Sequence, residues 1–177
     1  MDDLGGSTYQ GLGVFAQVTS SDPVLKDVSI DHVTAFPPRV LFILGAPVEA
    51  RMGNFTFTNN LIGAGQFDIV PAGGGEKNCS YQPARQGSAG VLSSCFSNFN
   101  FSHNVIVGSK GGWPKGNSSP LDHAAAGVLH FSEGRYELCR DNHGDCRKTS
   151  MASRAGADGK DIGADVEAVF SATKGVE

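Results

Sequence analysis

Asn59, Asn60 and Asn104, together with His32 and His103, are the side chains of this sequence whose types and spacing lend themselves to binding or proton transfer. They close or directly follow three alternating segments: Val28-Ser29-Ile30-Asp31-His32, Phe55-Thr56-Phe57-Thr58-Asn59 and Phe99-Asn100-Phe101-Ser102-His103. Two kinds of chemistry are open to such a set. Imidazoles can share a metal ion, yet Asn59 falls between the two histidines in the series, so they do not come from adjacent segments. Amides at successive turns can instead hydrogen-bond as a ladder while tolerating a left-handed backbone. The ladder is the reading adopted for His32, Asn59, Asn60, His103 and Asn104, and neither a metal site nor a cofactor is expected.

Other candidates are weighed by what each reaction needs. Asp31 and His32 form an acid/base pair in sequence, but neighbours on a strand point to opposite faces and are not expected to converge. Glycoside hydrolysis needs two carboxyl groups about 5–10 Å apart. Elimination at a uronate needs a base and a cation. The repeated strands offer Asp31 and Asp68 as acids, and Arg39, Arg51, Lys110 and Lys115 all fall in loops. No catalytic set assembles from these residues, and the chain alone is expected to have no turnover. Asp158-Gly-Lys-Asp161-Ile-Gly-Ala-Asp165 lacks the alternating acidic pattern of a calcium loop. Tyr81 and Trp113, on two long loops, are the aromatics placed to stack on a sugar or to bury against the chain beneath. With Lys110 they are the candidate substrate-binding residues.

The elements that carry these residues repeat. Ile30 to Phe57, Val40 to Phe67 and Phe15 to Phe42 are each 27 positions apart. Two lines keeping one offset are the mark of stacked coils, each covering the apolar face its neighbour exposes. Strands are expected at Tyr9–Phe15, Lys26–His32, Val40–Leu44, Phe55–Asn59, Phe67–Val70 and Val105–Val107, with two more at Gly127–Phe131 and Arg135–Leu138. Ile30, Phe57 and Phe101 should stack in one interior column, and Phe15, Phe42 and Ile69 in another. Phe57 to Phe101 is 44 positions, 17 more than one coil. The surplus maps to a Gly-rich insertion at about 73–94, and a second loop spans about 108–120. Asp165 can N-cap one closing helix that ends near Gly175, inside a cap at about 156–177 that covers the last strand edge.

Composition sets bounds on function. A net charge of −4 with no basic run argues against a nucleic-acid partner. No apolar stretch reaches membrane-spanning length. The start, Met1-Asp-Asp-Leu-Gly-Gly, is neither a signal peptide nor an evident cap. It reads as a chain beginning partway through a coil, the C-terminal portion of a longer protein. The alternative is a natural start with an unusual cap. Cys79 with Cys95 and Cys139 with Cys146 are close pairs without zinc spacing, which favours two loop-fastening disulfides over free buried thiols and points to export.

Phe55-Thr-Phe-Thr-Asn-Asn-Leu-Ile-Gly, Phe99-Asn-Phe-Ser-His-Asn-Val-Ile-Val-Gly and the closing Ala155-Gly-Ala-Asp-Gly-Lys-Asp-Ile-Gly-Ala-Asp resemble the rungs and final turn of bacterial right-handed parallel β-helix proteins of the pectate-lyase-like superfamily. The resemblance runs from about Asp27 to Val169. It implies an all-β solenoid of three to four coils in a single domain with a short C-terminal capping helix. It further implies an extracellular or periplasmic role facing polysaccharide. The expected function is therefore part of a secreted carbohydrate-active or carbohydrate-binding protein of lyase or glycoside hydrolase type; the alternative is a non-enzymatic cell-surface or adhesion module.

Overall fold

The computed structural model describes residues 13–21, 24–81, 87–140, 146 and 148–175. Residues 9–12 of the expected first strand and the turn residues Asp22 and Pro23 lie outside them. Three strand series recur along the chain. The first comprises β1 (Val14–Thr19), β4 (Val40–Gly45) and β7 (Phe67–Pro71). The second comprises β2 (Lys26–Asp31), β5 (Gly53–Thr58) and β8 (Phe99–Ser102), and the third β3 (Thr34–Ala35), β6 (Leu61–Gly63) and β9 (Val105–Val107). Each series pairs in parallel as one three-stranded sheet, in the orders β1-β4-β7, β2-β5-β8 and β3-β6-β9. Parallel strands joined through other sheets are the arrangement of a parallel β-helix-like stack, and the 27-residue spacing is its rung length.

The ladder registers follow the repeat except at one place. Ile30 pairs with Phe57 and Phe57 with Phe101, as the first column requires. Phe42 pairs with Ile69. Between the first two rungs, however, Ala16 rather than Phe15 pairs with Phe42. One residue fewer separates Val14 from Lys26 than separates Val40 from Gly53, so the register between β1 and β4 slips by one. Phe15 still reaches the core, its ring edge-on to Phe42 at 6.1 Å.

Stacked aromatic rings run through the interior. Phe57 stacks on Phe101 at 4.9 Å, Phe101 on Trp113 at 4.8 Å, and Phe55 on Phe96 at 4.5 Å. Trp113 thus follows Phe101 in the Phe57 column. The chain around it, from Gly116 to Pro120, hydrogen-bonds to β9 and its preceding turn as a partial further rung. The long insertion is only partly a loop. It contains a three-residue 3-10 turn, Gly75–Lys77, and α1 (Gly87–Cys95), whose Val91, Leu92 and Cys95 are buried. A pattern so short and so rich in Gly and Ser gives little helical signal; the helix is held by tertiary contact, including Arg51 donating to the carbonyls of Ser93 and Phe96. Both disulfides, Cys79–Cys95 and Cys139–Cys146, are present.

The third sheet is buried on both faces. Ile62 and Ile106 belong to the main core, whereas Leu61, Val105 and Val107 pack outward against Ala126, Val128, Ala152 and Ile162. This two-sided burial explains the unbroken apolar run Val105-Ile106-Val107. The covering layer includes α2 (His123–Ala126) and a short antiparallel pair, β10 (Val128–Leu129) with β11 (Glu137–Leu138). The C-terminal segment therefore covers a side of the stack rather than its end. Helix α3 (Val166–Thr173) forms with Asp165 as N-cap, but it buries no residue, and Val169 and Phe170 are half exposed. Among the described residues, no helix is long and apolar enough to cross a membrane.

Candidate functional site

The amide ladder runs through the second column of turns. Val33 N–H donates to Asn60 Oδ1, and Asn60 N–H and Nδ2 both donate to Asn104 Oδ1. Asn104 N–H and Nδ2 donate in turn to Asn117 Oδ1. Asn60 and Asn104 are buried, so each satisfies backbone groups that the turn would otherwise leave unpaired. His32, Asn59 and His103 form the neighbouring column and share a left-handed backbone, with φ of 50°, 56° and 55°. His, Asn and Asp are the non-Gly residues that accept this region most readily. Asn117 escaped the sequence reading because its rung lacks the Phe-x-Phe strand; Gly116-Asn117 mirrors His103-Asn104, and that pairing was the available signal. A second, exposed ladder was also missed. Asn54 Nδ2 donates to Asp27 Oδ1 and Asn98 Nδ2 to Asn54 Oδ1, each at 2.6 Å.

One expectation is overturned. Asp31 and His32 do converge, Oδ2 lying 2.9 Å from Nδ1. Alternation of faces holds only for extended backbone, and His32 has left the strand conformation. Asp31 also accepts from Thr58 Oγ1 at 2.7 Å and Asn59 Nδ2 at 2.9 Å. Partial burial pushes its carboxyl upward, but the hydrogen bonds from Thr58, His32 and Asn59 and the His32 charge outweigh this and hold it below the ordinary value. The C-terminal segment crosses this column. Ala157 N–H donates to Asn59 Oδ1, Gly163 N–H to Asn59 O and Ala164 N–H to Thr34 Oγ1. Gly163 is required there: a Cβ would lie 2.4 Å from Thr34 Oγ1. The crossing segment covers His32 Nε2, which therefore cannot reach a substrate.

An open groove of about 530 Å³ lies elsewhere, between β7 and the two insertion loops. Phe67, Asp68, Gln66, Ser88 and Lys110 line it, with glycines of both loops as its walls. Phe67 is 49% exposed, although its ladder partner Val40 is buried, because no further rung covers it. Burial raises the Asp68 carboxyl above its ordinary value, against hydrogen bonds from Ser109 and the Lys110 N–H and the Lys110 charge. Asp68 thereby holds the second loop against β7. Of the sequence candidates, Lys110 lines the groove and is exposed; Tyr81 is exposed beside the lining residue Ser80. Trp113 lies flat on Phe101, its Nε1 donating to Ser109 Oγ at 2.7 Å. Arg39 and Lys115 are exposed outside the lining. Phe67 is the residue that sequence reasoning assigned to the stack without foreseeing its exposure.

Comparison with known proteins returns no matching family, no matching curated sequence and no matching solved structure.

Proposed function

We propose that this chain is a carbohydrate-binding β-helix segment, right-handed and of the pectate-lyase-like kind, that acts outside the cell or in the periplasm. The carrying observation is the groove beside β7, where the half-exposed Phe67 ring and the Lys110 ammonium share one concavity. An apolar ring offers a stacking face to a pyranose, and an ammonium at the same wall favours an acidic sugar. Among the described lining residues Asp68 is the only carboxylate, and hydrolysis needs a second across the scissile bond. Binding without hydrolysis follows. Two disulfides are at home in an oxidising compartment, which supports the location.

Affinity electrophoresis through gels containing polygalacturonate or a neutral glucan tests this reading. Retardation by the acidic polymer is expected, weakened roughly five- to tenfold by Phe67→Ala or Lys110→Ala. Reducing ends and unsaturated-uronide absorbance should stay at background. Equal mobility of both variants and the wild type would remove the groove as the binding site.

A further inference from the structure

The column where the C-terminal segment crosses the stack contains an imidazole between two carboxylates. His32 Nδ1 lies 2.9 Å from Asp31 Oδ2, and Nε2 lies 3.6 Å from Asp158 Oδ1. Nε2 is buried and is the one such side-chain polar atom among the described residues without a hydrogen-bond partner. A neutral imidazole has one N–H and one lone pair. With the proton on Nδ1, the lone pair of Nε2 faces Asp158; with it on Nε2, the lone pair of Nδ1 faces Asp31. Each neutral tautomer sets an acceptor against a carboxylate. Only the imidazolium donates on both sides.

The charged groups facing His32 come from both elements packed against it. Asp31 faces His32 from its own strand end, and Asp158 faces it from the crossing segment. Behind Asp158 stands Lys160, its Nζ 3.2 Å from Asp158 Oδ2. Thr58 and Asn59, from the next rung, donate to Asp31 and carry no charge. The Lys160 N–H, then the Lys160 side chain and the His32 charge, keep the Asp158 carboxyl below its ordinary value, as hydrogen bonds do for Asp31. Both are therefore ionised through the neutral range.

We propose that His32 is a pH-sensitive clasp: protonated, it bridges Asp31 and Asp158 and fastens residues 155–160 to the stack; deprotonated, it lets that stretch loosen. The remaining anchors, Asn59 to Ala157 and Gly163 and Thr34 to Ala164, are uncharged and do not change with pH. They act as the hinge, and the loop around Asp158 is the part that responds. Imidazole is the side chain whose ordinary charge change falls between pH 5 and 8, which sets the pH range of the test.

Hydrogen exchange of peptides covering residues 155–165, corrected for intrinsic exchange rates, tests the clasp at pH 5.5 and pH 8.0. Protection of this stretch in the wild-type chain should fall roughly tenfold at the higher pH. His32→Gln should abolish the difference. In Asp158→Asn the amide can donate to a neutral Nε2, so protection should persist at both pH values. His130→Gln, which alters the half-buried histidine near Glu133 and Glu137, should keep the wild-type response. Equal wild-type protection at the two pH values overturns the proposal, as does a response that survives Asp158→Asn, and the second variant decides the matter should His32→Gln not fold.

Discussion

Asn104 joins three rungs through one side chain. Its Oδ1 accepts from the Asn60 backbone and side chain, while its Nδ2 donates to the carbonyls of Phe57 and Ser102 and to Asn117. Water cannot replace these contacts, because Asn104 is 1% exposed. Asn104→Ala removes the partners of at least two buried polar groups and should lower the unfolding free energy by about 2–4 kcal/mol. Asn100, on the exposed side of β8, is the matched control, and its change to Ala should stay within about 0.5 kcal/mol. Urea unfolding of the two variants side by side checks both values. A small effect at Asn104 would mean that the ladder is decoration on a stack held by its aromatic interior alone.

The insertion between β7 and β8 shows how an element of weak local signal is held. Helix α1 is a nine-residue stretch rich in Gly and Ser, and little in its own propensity favours a helix. Its buried face and the Cys79–Cys95 bond supply the order, with Arg51 pinning its C-terminal end. The bond closes a separation of 16 residues, for which loop entropy predicts about 3 kcal/mol of stabilisation. Cys139–Cys146 closes only 7, for which the same relation gives about 2 kcal/mol. Thermal melts of Cys79→Ala/Cys95→Ala and Cys139→Ala/Cys146→Ala should therefore rank in that order. The first pair should also lose ligand retention, since α1 forms one wall of the groove through Ser88 and Val91. The reverse ranking would show that the first bond fastens a segment already ordered by packing.

At the scale of the molecule, stability passes from rung to rung. Phe57 is the middle of the column, fully buried between Ile30 and Phe101 and edge-on to Phe42. Phe57→Ala should cost about 3–5 kcal/mol through lost contact and the cavity left behind. Because stacked repeats couple through their neighbours, the loss should reach the far rung. Trp113, the only tryptophan, reports that rung from its place on Phe101. Tryptophan fluorescence and far-ultraviolet circular dichroism should shift to lower denaturant together in this variant. If only the dichroism shifts, the rungs unfold independently.

The 27-residue offset and the Phe-x-Phe alternation determined the strand series and most of the registers, and short sequence separation the two cysteine pairs, because rung length, face alternation and neighbouring cysteines are local properties of the chain. The ladder of Asn60 and Asn104 was legible for the same reason: an amide at each equivalent turn has one place to go. Tertiary structure alone decided the rest. The slip that sets Ala16 opposite Phe42 depends on a turn one residue shorter than its counterpart, and apolar alternation is blind to that. Convergence of Asp31 and His32 arose from one left-handed φ, which reverses the face rule at that residue. Asp158 came to His32 across more than a hundred residues of chain, a contact that no periodicity carries. Phe67 and Val40 hold equivalent positions in the repeat, yet one is half exposed and the other buried. A repeat specifies which face a side chain takes, but what covers that face depends on whether another rung follows, and that is settled only when the chain has folded.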